Sequence, residues 1–144
     1  MNILYPFAKR FIAGEDLPTA MKSIQSLQTS GYLSTVDILG ENTHRRDQAQ
    51  QAQKSYLDLL NQVDKESLPM DLSLKVTQMG LDIDWELCKK NISEILNAAS
   101  GHTVRFDIEG SDYTKQTINL CIELHETYRN LGQALQAYLY RTGG

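Results

Sequence analysis

The chain has 144 residues, 41% hydrophobic and 22% charged, enough for one domain with a core of its own. A net charge of −4 with no basic block or basic helix argues against a nucleic-acid partner, and no stretch approaches the roughly 18 apolar residues of a membrane span. The N-terminus lacks a basic segment followed by an apolar core, so no export signal and a cytoplasmic location are expected.

Residues 9–13 (K-R-F-I-A) read as a first strand ending at Gly14-Glu15. Residues 16–30 carry Leu17, Ala20, Met21, Ile24 and Leu27 at helical spacing, with Gly31 as the stop. A second strand is expected over 33–39, ending at Gly40-Glu41. Asn42 or Thr43 can then cap a helix through Ala49, Ala52, Tyr56, Leu59, Leu60 and Val63, with the Gln-rich stretch 48–53 as its solvated face. A third strand is expected over 71–77, and Asp82 or Asp84 opens a helix with Trp85, Cys88, Ile92, Ile95 and Leu96 on its apolar stripe. A fourth strand follows over 103–109. Ser111 or Asp112 caps a helix containing Ile118, Cys121, Ile122, Leu124 and Tyr128, and a fifth strand is expected over 133–139. Cys88 and Cys121 lack metal-type spacing and read as reduced core residues. His44, His102 and His125 form no i,i+4 pair, so no metal site is expected.

The strand runs alternate. Val36, Ile38, Leu72, Leu74, Val76, Val104, Phe106 and Ile108 fall on one face, and Thr35, Asp37, Ser73, Lys75, Arg105, Asp107 and Gln136 on the other. A β-then-α repeat of roughly 30 residues implies parallel strands. Parallel strands are usually buried on both faces, and a polar face is costly there unless its groups pair or do chemistry. A doubly wound sheet keeps both faces apolar. A (β/α)8 barrel of the TIM type turns one face to the helices and the other to the axis, with functional residues at the C-terminal strand ends. The pattern favours the barrel. About five of its eight βα units are present, so the fold class expected is α/β, a partial barrel. Open edges then predict self-association. Arg105 and Asp37 read as a structural charge network with Asp107, and Lys75 reads equally well as the partner of a buried carboxylate.

The runs A-K-R-F-I-A-G-E-D, V-D-I-L-G-E, L-S-L-K-V-T-Q-M-G-L-D-I-D, V-R-F-D-I-E-G-S-D-Y-T and L-Q-A-Y-L-Y-R-T occur in order between Ala8 and Thr142. Together they closely resemble the proline dehydrogenase family. The resemblance implies an FAD-dependent oxidation of L-proline to 1-pyrroline-5-carboxylate on a distorted barrel, with electrons passed to a quinone at a membrane surface. That adds a peripheral inner-membrane association to the expected cytoplasmic location. Residues 1–144 would form the N-terminal part of one barrel domain. By the same resemblance, Lys75 contacts the substrate carboxylate, Asp107 is an active-site carboxylate, Ile108 touches FAD through its backbone, and Gln136 bonds the flavin ring system. The family's sixth-strand block, its Thr-His block and its late helix with paired arginines have no counterpart here. The alternative is therefore a non-catalytic barrel fragment that needs its C-terminal half.

Overall fold

The computed structural model describes residues 12–143. The strand expected over 9–13 lies outside them except for Ile12 and Ala13, which belong to no strand.

Helix α1 spans Leu17–Thr29, and the Asp16 side chain accepts from the Thr19 N–H at 2.9 Å as its N-cap. Strand β1 is Thr35–Asp37, shorter than expected, and Leu33 and Leu39 beyond its ends are exposed. Helix α2 spans Arg46–Lys65. Its N-cap is Arg45, without a side-chain bond, rather than Asn42 or Thr43. Those two residues are committed elsewhere: Asn42 has a left-handed φ of 50°, and the Thr43 N–H is held by the Thr77 carbonyl at 3.2 Å. Gln53 is not solvated as expected; it is buried and donates to Glu94 on the next helix.

Strand β2 is Asp71–Leu74. The extended segment expected to reach Thr77 stops because a turn begins at Lys75, whose carbonyl accepts from the Gln78 N–H at 3.1 Å. Helix α3, Trp85–Ala98, is capped by Asp84, which accepts from the Leu87 N–H at 2.7 Å. Strand β3 is Thr103–Phe106 and helix α4 is Ser111–His125. The α4 cap is Gly110, so Ser111 and Asp112 are first-turn residues; Asp112 there complements the helix dipole. Strand β4 is Leu131–Gln133, two residues earlier than expected. One ladder bond follows it, from Ala134 N–H to the Phe106 carbonyl at 2.9 Å. Past that point β3 has ended and offers no partner, and the chain closes in a 3₁₀ turn over Tyr140–Gly143.

The strands form one parallel sheet in the order β1-β2-β3-β4. Asp37 lies beside Ser73, Ser73 beside Arg105, and Arg105 beside Gly132. Side chains paired in this way share a face. Leu72, Leu74, Val104 and Phe106 are fully buried under Met21 and Ile24 of α1, Tyr56 and Leu60 of α2, Ile92 and Leu96 of α3, and Leu120 of α4. The helices therefore cover one face, and the polar residues occupy the other. This is an arc of a (βα)-barrel, with its axial face and C-terminal strand ends carrying the charge.

Candidate active site

Lys75 leaves β2 at the last extended position before the turn. Its Nζ pairs with Asp37 Oδ2 and lies 3.5 Å from Asp107 Oδ2. The three side chains are 20%, 32% and 33% exposed, so the cluster is partly dry but open to small solutes. Burial disfavours the Lys75 charge. The hydrogen bond and charge of Asp37, with Asp107 behind it, outweigh burial and hold the ammonium above the ordinary lysine range. Asp107 is oriented by the Ser73 hydroxyl, which donates to its Oδ1 at 2.6 Å. Tyr56 of α2 threads to the end of β1. Its hydroxyl donates to the Ser73 carbonyl at 2.9 Å, accepts from the Ile38 N–H at 3.3 Å, and lies 3.4 Å from Asp37 Oδ1. Burial raises the Tyr56 phenol far above its usual value, so it acts as a neutral hydrogen-bonding strut.

Two carboxylates around one ammonium leave the cluster one negative charge in surplus. An ammonium has three donors; the two carboxylates occupy two, and one remains for a further anion. The arrangement suits a small zwitterion, with the free Lys75 donor for its carboxylate and the surplus charge for its ammonium.

Lys75 and Asp107 thus meet, as expected from their alternation. Arg105 departs from expectation: it pairs with Asp71, toward the N-terminal end of the sheet, and joins neither Asp107 nor Asp37. The register explains this, since Arg105 sits beside Ser73, one layer below Lys75. Ile108 follows β3, half-buried. Gln136 is exposed and off the sheet, because the strand expected to carry it ends at Gln133. Continuing the β3–β4 register past Gln133 would bring Gln136 to the side of Glu109, on the face that bears Lys75 and Asp107.

Sequence reading missed the roles of Ser73, Tyr56, Thr77 and Glu109. Ser73 and Glu109 share the alternation parity of Lys75 and Asp107, which was a usable signal. Tyr56 sits in an apolar helix stripe and gave none. Glu109 accepts from the Thr77 N–H at 3.1 Å and from the Thr77 hydroxyl. Burial pushes the Glu109 carboxyl upward, partly offset by these bonds and by Lys75. Cys88 and Cys121 are free and buried, and burial with the nearby Glu109 charge pushes the Cys88 thiol up to about 12.

The proline dehydrogenase family model matches residues 20–144. Proline dehydrogenase 1 of Bacillus subtilis subsp. natto is 33% identical over 136 residues, covering 93% of this chain and 45% of its own length. Proline dehydrogenase 2 of Bacillus subtilis is 31% identical over 137 residues, with 94% and 45% covered. Proline dehydrogenase of Deinococcus radiodurans is 24% identical over 153 residues, with 98% and 48% covered. The chain spans less than half the length of these relatives. The crystal structure of proline utilization A from Bdellovibrio bacteriovorus, inactivated by N-propargylglycine, shares the fold with a TM-score of 0.85 at 23% identity, over 96% of this chain and 18% of that one. With the family's pattern running through nearly all of its described length, the chain belongs to the proline dehydrogenase family.

Proposed function

We propose that residues 1–144 form the N-terminal part of a single barrel domain that oxidises L-proline to 1-pyrroline-5-carboxylate with FAD and passes the electrons to a quinone. The observation that carries this reading is the Asp37–Lys75–Asp107 cluster at the C-terminal strand ends of a family member. Lys75 is the cation for the proline carboxylate. Asp37 and Asp107 keep it charged and aimed, and Ser73 and Tyr56 keep the carboxylates in place. Asp107 belongs to the active site on this reading, and its charge favours the substrate's nitrogen end.

The residues present fit part of a flavin site. Ile108 offers half-buried backbone at the end of β3, and the Gln136 amide makes no hydrogen bond among the described residues, which leaves a donor and an acceptor for a ring edge. Bound FAD would supply the two-electron acceptor for the hydride lost from the ring carbon beside nitrogen. The chain's own part is to bind the zwitterion, orient it and limit water around Lys75. A quinone acceptor would bring the protein to a membrane surface. Among the described residues no helix is long and apolar enough to cross one.

The test is optical. The chain as part of its whole protein is loaded with FAD and freed of excess, and L-proline is titrated in without oxygen. Retained yellow colour that proline bleaches is the expected result. Lys75→Met should raise the half-bleaching proline concentration about tenfold or more, the scale of one charge-assisted bond at ~1.5–3 kcal/mol. Colourless protein would instead favour the non-catalytic fragment, a reading to which the exposed Gln136 lends weight.

A further inference from the structure

The β2–β3 ladder ends at the bond from Asp107 N–H to the Leu74 carbonyl, 2.9 Å. Beyond it both segments leave the sheet, residues 76–83 into turns and 107–110 into the approach to α4. Carrying the register on from Leu74 and Phe106 sets Lys75 beside Asp107 and Thr77 beside Glu109. The Lys75–Asp107 contact at 3.5 Å therefore lies at the last ladder bond, with no further backbone bond between these two segments beyond it among the described residues.

The Glu109 carboxylate takes over at that point. One oxygen accepts from the Thr77 N–H at 3.1 Å and the other from the Thr77 hydroxyl. Thr77 is fully buried. Its hydroxyl also accepts from the Asn42 N–H at 3.0 Å, and its carbonyl from the Thr43 N–H at 3.2 Å. Next to it, Gln78 donates to the Ile38 carbonyl at 3.1 Å, passing Gly40, where a Cβ would lie 2.5 Å from the Gln78 Nε2. Through Thr77 a single carboxylate thus ties together the connections that follow β1, β2 and β3; Lys75 and Asp107 each open one of them, and Asp37 is the last residue of β1.

We propose that Glu109 is a positioning residue: by fastening Thr77 it sets the spacing of Lys75 from Asp37 and Asp107. The proposal rests on the reading of Lys75 as the substrate's cation, and it says how this chain aims that cation.

The test uses the 144-residue chain with labelled lysine, without flavin or proline. NMR follows the titration of the Lys75 side chain, assigned with Lys75→Arg. Thr77→Val keeps the Glu109 charge and removes the hydroxyl. It should shift the Lys75 pKa down toward that of free lysine by about half a unit or more, on a scale where a full unit is a tenfold change. Thr77→Ser should restore the parent value, and Glu109→Ala should shift it at least as far as Thr77→Val. Leu124→Ala, a remote core change that lowers stability, should leave it in place. A shift in Glu109→Ala alone would reduce the role of Glu109 to its charge and overturn the proposal. So would an unmoved Lys75 in both variants, or an equal shift in Leu124→Ala. Should Lys75 titrate below free lysine in the parent, burial outweighs the two carboxylates, and the proposed function loses its support along with this inference. A raised parent value with unmoved variants removes only the role of Glu109.

Discussion

Lys75 and Asp107 show how far single residues could be read. Alternation put both on the polar face at strand ends, and they meet there. It could not say that Lys75 would be shared between two carboxylates while Arg105 turned to Asp71. Those pairings depend on which strand lies beside which, and at what offset. Glu109 yields a prediction at this scale. Burial holds its carboxyl above the ordinary value of 4.5, against the Thr77 bonds and the facing Lys75 charge. A carboxyl with a raised folded pKa binds its proton more tightly in the folded state. Its contribution to stability is complete below the unfolded pKa and is lost as pH rises through the folded one. Urea-unfolding free energies of the parent chain and Glu109→Gln, subtracted at each pH, should therefore fall as pH climbs from about 4.5 and then level off above the folded value. A difference that stays flat, or rises, would show that the folded carboxyl is not raised.

Among the elements, helices were more legible than strands or caps. Helix α1 and helix α3 begin where Asp16 and Asp84 offer an oxygen to the first turn. Helices α2 and α4 had equally good candidates in Asn42, Thr43, Ser111 and Asp112, and use none as a side-chain cap. Thr43 is bound to the β2–α3 connection, a constraint from a segment 34 residues away that local propensity cannot contain. The strands are shorter than their alternation predicts for a related reason. Alternation persists through Lys75-Val76-Thr77, but i→i+3 backbone bonds from Lys75 onward bend the chain out of the sheet. The cap at α3 supports a measurement: Asp84→Ala should cost about 1 kcal/mol in urea or thermal unfolding, through the lost acceptor for the Leu87 N–H. A loss indistinguishable from zero would mean that water replaces the carboxylate there at no cost.

For the whole molecule, the outer edge of the sheet decides behaviour. Among the described residues β4 pairs only with β3, and near it Ile122, Leu135, Tyr138 and Tyr140 are exposed. Unpaired edges beside apolar side chains favour association. Sedimentation velocity should show concentration-dependent species larger than 16.3 kDa, and Leu135→Lys should shift them toward monomer. A monomer at every concentration would mean that the edge is protected. The partial barrel was legible because side-chain direction along a strand has a period of two and βα units repeat, so the order of residues alone separates a helix-covered face from a polar one. The chemistry of the polar face was another matter. Bonds such as Thr77 to Glu109 join residues 32 apart in the chain, and a slip of one residue in strand register would have sent each of those side chains to the opposite face. Folding into one particular register is what turned a set of charged strand ends into a cation held between two carboxylates.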